Sequence, residues 1–168
     1  SGFGWLASPG LVLATDYDRD RRWITTWLFM ADRPGTASEA KVIFDRSVHD
    51  DYKDPGDPVQ VTLINGERVC IYASGSIYLA GPGATTDGYR PFLRTFNLTT
   101  LASETVMLSA TDSYEAFRGF GDDNRDSIIT SRRTPSYFGA KNANCEKPRR
   151  LRPKISATKA AIPPMMAS

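Results

Sequence analysis

The feature that most constrains this chain is a series of about ten short apolar runs, spaced by roughly 8–14 residues and closed by turn chemistry. No sustained 3.6-residue period appears before residue 139. Residues 11–15 and 23–30 are rich in branched and aromatic side chains and flank the polar cluster Asp16-Tyr17-Asp18-Arg19-Asp20, which predicts a hairpin. Residues 41–44 follow. The runs 59–64 and 69–73 meet across Asn65-Gly66, whose tolerance of positive φ suits a two-residue type I′ connection. Residues 76–80, 92–98, 105–109, 114–117 and 127–131 continue the series, each bounded by Gly, Pro, Asn or Asp. Punctuation of this kind excludes a helical bundle and predicts an all-β fold: sandwich, barrel or propeller.

The runs fall into sets of about four, with turn-rich connections at 31–40, 81–91 and 121–126, a repeat of roughly 40–50 residues typical of propeller blades. The expected architecture is a partial β-propeller of about three four-stranded antiparallel blades over residues 1–138, followed by a basic, irregular extension over 139–168. A closed propeller needs about four blades or more, so three leave sheet edges and apolar faces open. Self-association, or a protein partner covering the open blade edges, is therefore expected.

Charge marks the same boundary. The formal net charge is +2 over 168 residues, but residues 1–138 carry 14 Lys and Arg against 18 Asp and Glu, whereas residues 139–168 carry 7 against 1. A mildly acidic body thus precedes a basic segment that holds four of the 11 prolines and no aromatic residue. Lys147, Arg149, Arg150, Arg152 and Lys154 are its candidate partner-binding residues, for an acidic protein, an anionic membrane surface or nucleic acid. Nucleic acid is the weakest of these, because no aromatic side chain is at hand to stack on bases.

No run of about 18 uncharged apolar residues occurs, so no transmembrane helix is expected. Ser1 to Gly10 lacks the basic start of a secretory signal, and a soluble protein is expected, the cytoplasm slightly favoured. Cys70 lies in an alternating run and Cys145 in the basic extension, with no C-x-x-C pair and no histidine cluster. That pattern suits neither a disulfide scaffold nor zinc. No metal and no cofactor is expected.

Three stretches carry a resemblance. Asp16-Tyr-Asp-Arg-Asp-Arg-Arg-Trp-Ile-Thr-Thr-Trp27, residues 44–58 (FDRSVHDDYKDPGDP) and residues 75–93 (GSIYLAGPGATTDGYRPFL) together resemble the β-propeller domain of the glutamyl endopeptidase-like branch of the prolyl oligopeptidase family. The likeness covers about residues 3–138, and residues 128–135 (IITSRRTP) look like the next strand in turn. Beyond Phe138, where the family continues through further blades to an α/β-hydrolase domain, the sequence departs from it, as a truncated or frameshifted end would. The resemblance implies a propeller that covers a serine peptidase domain and restricts which polypeptides reach it. The expected function is thus a non-catalytic, substrate-gating propeller segment. The alternative is a stand-alone scaffold or interaction protein that completes its open edges by self-association or by docking into a larger complex.

The residues themselves supply no peptidase machinery. The family's chemistry needs a serine on a G-x-S-x-G elbow, activated by a histidine that a carboxylate orients. No serine here has glycine on both sides at that spacing, and His49, the sole histidine, lies in an acidic turn beside Asp50 and Asp51. No catalytic residue is assigned, and the chain by itself is not expected to hydrolyse peptides. Asp16, Asp18 and Asp20 imitate the start of a calcium loop, but Arg21 and Trp27 stand where such a loop needs Gly and Glu. Asp45, Asp50, Asp51, Asp54 and Asp57 read as a solvated loop around Pro55-Gly56 rather than a cation site. Gly81-Pro-Gly83 lacks the Lys and the helix of a phosphate cradle. Trp5, Trp23, Trp27, Tyr72, Tyr78, Phe92, Phe96, Tyr114, Phe117 and Phe120 read as packing between sheets, and Asn97-Leu98-Thr99 is a glycosylation sequon.

Overall fold

A computed structural model describes residues 2–31, 40–133 and 155–158. The described residues form β-strands and one 3₁₀ turn, with no α-helix, so the fold is all-β. The first sheet is a four-stranded antiparallel meander of β1 (Gly2–Trp5), β2 (Leu11–Asp18), β3 (Trp23–Met30) and β4 (Lys41–Ser47). Its β2–β3 turn is fixed locally. Asp18 Oδ1 accepts the N–H groups of Asp20 and Arg21, both at 3.0 Å, and Arg22 takes φ of 53° to reverse the chain.

A 3₁₀ turn (Asp51–Lys53) leads to short strands β5 (Asp57–Pro58), β6 (Gln60–Thr62), β7 (Arg68–Cys70) and β8 (Tyr72–Ala73). Then come β9 (Ser76–Gly81), the small hairpin of β10 (Ala84–Thr85) and β11 (Gly88–Tyr89), β12 (Phe92–Asn97) and β13 (Ser103–Leu108). The second sheet has the order β13-β12-β9-β5, with β8 also paired to β9. A third sheet, β14-β15-β16, is built from β14 (Tyr114–Phe120), β15 (Ile128–Arg133) and β16 (Ile155–Thr158). All strand pairs within these sheets are antiparallel.

The second sheet is buried on both faces, which explains the unbroken apolar run Ile77-Tyr78-Leu79-Ala80 in β9. Alternate side chains serve different neighbours. Ile77, Leu79, Phe96 and Leu98 pack with Leu6, Leu13 and Ile43 of the first sheet region, and the Phe44 and Phe96 rings lie 5.0 Å apart. Tyr78 and Leu93 turn the other way and pack with Ile128, Phe117 and Phe120 of the third sheet, the Tyr78 and Phe120 rings meeting edge-on at 5.0 Å. Three layers therefore share two cores.

Polar latches hold the first layer to the second at both ends of β4. Lys41 Nζ donates to the carbonyls of Leu98 and Thr99 at 2.9 and 2.7 Å, and Arg46 Nη2 reaches Asp54 Oδ1 at 3.0 Å. Between β1 and β7 the contact is backbone: Leu6 and Cys70 form a parallel bridge, and Ala7 N–H donates to Cys70 O at 2.9 Å. Gly4 permits that approach, since a Cβ there would meet Cys70 Sγ at 3.2 Å.

Several expectations need correction. Among the described residues the three larger sheets carry four, five and three strands rather than four each, β6-β7 and β10-β11 form two further two-stranded sheets, and no closed barrel or propeller ring is present. The Asn65-Gly66 connection is not a two-residue type I′ turn. Leu63 pairs with Glu67 through N–H to O at 2.8 Å, Gly66 N–H returns to Leu63 O at 2.9 Å, and Gly66 at φ 86° is the residue there with positive φ. This is a three-residue loop in which glycine takes the left-handed position, so Asn65 escapes the strain. The extension is not irregular where it is described, because Ile155–Thr158 pairs with β15 from Ile128 to Ser131. The sequence boundary at 138/139 lies outside the described residues.

Candidate functional site

The candidate partner-binding residues Lys147, Arg149, Arg150, Arg152 and Lys154, together with Cys145, lie outside the described residues. The acidic candidates are described, and local structure accounts for Asp45, Asp50 and Asp54. Asp50 caps the 3₁₀ turn by accepting Lys53 N–H at 3.2 Å and pairs with Lys53 Nζ at 3.4 Å. Asp54 accepts both Arg46 and the Gly56 N–H, the latter at 3.1 Å. Asp45 receives the Trp23 indole N–H and the Thr25 hydroxyl, which hold its carboxyl below the usual carboxylate range. Among the described residues no group of three or more His, Cys, Asp or Glu could hold a metal ion. His49 is exposed, and its backbone N–H caps Ser47 Oγ at 3.2 Å.

The sequon also has a structural use. Asn97 Oδ1 accepts the N–H groups of Thr99 and Thr100 at 2.9 and 2.8 Å, which closes the turn between β12 and β13. Cys70 is a buried free thiol whose pKa burial pushes up. It lines a cavity of about 280 Å³ between the first and second sheets, with Thr15, Thr26, Arg46 and Gln60 as polar neighbours. Thr15 and Thr26 satisfy each other at 3.1 Å and Asp54 neutralises Arg46, so the polar wall is internally paired.

The aromatic expectation holds for the inner layers and fails on the first sheet's outward side and at the exposed Tyr114 of β14. Trp5 is 45% exposed, and with Val12, Ala14, Trp27 and Phe29 it lines an open apolar groove of about 430 Å³. Asp16 stands at the end of that groove, and Asp45 lies on the same face, opposite Thr25. A signal for this face was present in β3, Trp23-Ile-Thr-Thr-Trp-Leu-Phe-Met30, whose apolar residues occupy both parities, as they do in strands covered on both sides. The structure covers one side through Leu28 and leaves the other open. The third sheet's outward face differs: Arg118 Nε donates to Ser131 Oγ at 2.7 Å, on the side away from buried Ile128 and Thr130.

This geometry contains a stacked all-β body, two latched layers and an open aromatic face. The chain is 29% identical over 119 residues to a protein of Oryza sativa subsp. japonica described as a probable glutamyl endopeptidase, chloroplastic. The matched stretch is 68% of this chain and 12% of that relative. It is a weak, partial likeness to a peptidase-related protein. No family model and no solved structure matches the chain. No helix among the described residues is long and apolar enough to cross a membrane.

Proposed function

We propose that the chain is a run of consecutive propeller blades of the glutamyl endopeptidase type, non-catalytic by itself, whose role is to screen polypeptides on their way to a serine peptidase domain. The observation that carries this reading is the parallel bridge between Leu6 and Cys70. In a propeller the first strands of successive blades run side by side in the same direction around the axis, while strands within each blade alternate. Leu6 follows β1, and Cys70 ends β7, which runs on into β8 of the second sheet, so the bridge supports that arrangement, as does the partial likeness to the rice protein. A soluble setting belongs to this reading.

The test is a chimera of the rice relative in which the matched 119 residues are replaced by those of this chain. Hydrolysis of short Glu-containing peptides should persist, and folded proteins should stay uncut. Cleavage of folded proteins by a well-folded chimera would sink the screening role. A second reading, a stand-alone interaction protein, rests on the open aromatic face of the first sheet, and it predicts a stable partner for that face without any peptidase domain.

A further inference from the structure

We propose that Asn65 is a site of spontaneous covalent modification, at which the Gly66 nitrogen closes on the Asn65 side chain and converts the amide to aspartate and isoaspartate while the protein stays folded.

Three observations meet in the loop between β6 and β7. Residues 60–68 are all exposed, Ile64 completely so, and water and hydroxide reach the loop freely. Gly66 has no side chain to shield its nitrogen, and a Cβ built there would meet nothing within 4 Å, so the surroundings add no shield. The amide is also held in place: Asn65 Oδ1 accepts Glu67 N–H at 3.1 Å, and Asn65 Nδ2 donates to Glu67 Oε2 at 3.1 Å. Oδ1 is the atom on which negative charge gathers when the amide carbon is attacked, and a fixed N–H donor there lowers the barrier. Nucleophile and electrophile sit on adjacent residues, so closing the five-membered ring costs little freedom of motion.

Gly66 N–H itself donates to Leu63 O at 2.9 Å. That contact opens before the nitrogen attacks, and in an exposed loop water takes the place of the carbonyl. The Gly66 nitrogen then loses its proton to hydroxide and bonds to Asn65 Cγ. The Cγ–Nδ2 bond breaks, and the amide nitrogen leaves as ammonia with a proton from water. Water opens the cyclic imide at either carbonyl, to aspartate or to isoaspartate. The sum is water consumed and ammonia released. Either product replaces the Asn65 donor with a carboxylate facing Glu67, and isoaspartate adds a backbone carbon inside the loop that the Leu63–Glu67 hydrogen bond closes.

The other described asparagines lack this combination. Asn97 precedes buried Leu98, whose N–H is committed to Gly75 O at 2.9 Å. Asn124 is exposed but precedes Arg125, whose side chain crowds the attacking nitrogen.

The experiment is peptide mapping by mass spectrometry on the full chain held at neutral and mildly alkaline pH, with circular dichroism followed throughout. The peptide carrying Asn65 should gain the mass difference between an amide and a carboxyl before those carrying Asn97 and Asn124. Its rate should rise with pH, as proton removal from Gly66 requires, and chromatography should resolve aspartate from isoaspartate. Gly66→Ala should slow the conversion severalfold, because a methyl beside the nitrogen hinders its approach. The φ of 86° strains that variant, so Asn65→Gln serves as the second: its longer side chain disfavours the ring, and it should remain an amide over the same period. Conversion confined to the urea-unfolded chain, aspartate without isoaspartate, or Asn97 reacting first would each overturn the assignment. No peptidase domain enters the measurement, so its failure leaves the screening role untouched, just as a failed chimera leaves Asn65 untouched.

Discussion

Arg46 Nη2 lies 3.0 Å from Asp54 Oδ1, and the same oxygen accepts the Gly56 N–H at 3.1 Å. One carboxylate thus ties the last strand of the first sheet to the loop that enters the second. Both side chains are mostly shielded from solvent, which makes the pair more than a screened surface contact. A double-mutant cycle with Arg46→Ala and Asp54→Ala should give a coupling of about 1 kcal/mol. Additive single effects in urea melts would show that the latch contributes nothing of its own.

Gly56 has φ of 84°, and a Cβ there would stand 2.7 Å from Ala80 O. Gly56→Ala therefore meets left-handed strain and a backbone clash together. The strain alone costs about 1–3 kcal/mol, and the clash moves β5 off β9. Denaturant midpoints measure the loss. A variant as stable as the parent would mean that the loop has room to move.

Leu93 is fully buried between the second and third sheets. Truncation to Ala removes its packing from a core that cannot readily collapse, and should cost about 2–5 kcal/mol. Leu108, on the neighbouring β13, is 47% exposed, and Leu108→Ala should shift the melt by less than roughly 0.5 kcal/mol. Equal effects at both positions would contradict the burial of the second sheet on two sides.

Asp45 titrates below its ordinary value because the Trp23 indole and then the Thr25 hydroxyl donate to its ionised form. A depressed folded-state pKa contributes stability that is present above the unfolded value, and that is lost as pH falls through the folded value. Trp23 fluorescence should report a change below the normal carboxylate range in the parent and lose that acid step in Asp45→Asn. An acid step identical in both proteins would assign it to another carboxylate.

Alternation and turn residues made most of the longer strands legible. Leu11, Leu13 and the β3 aromatics marked the first hairpin, and Ile77 to Ala80 marked a strand covered on both faces. β1 escaped notice because Gly2 and Gly4 give it no periodic apolar signal, and its place is set by pairing with β2. The two-residue strands β5, β8, β10 and β11 are too short to carry a period, and β16 forms because β15 offers an edge. The Asn65-Gly66 signal located its hairpin correctly but gave the wrong loop length, since pairing continued to Leu63 and Glu67. The open aromatic face was missed for a different reason. Trp5, Trp23 and Trp27 look the same in sequence whether a neighbouring layer covers them or not.

The two-sided burial of the second sheet carries a consequence for how the protein comes apart. Its stability resides in the junctions between layers, as in a linear array with nearest-neighbour coupling. The outer layers each have one described junction and the central layer has two. Amide exchange should therefore proceed from the ends inward, with β9 and β12 surrendering their protons last.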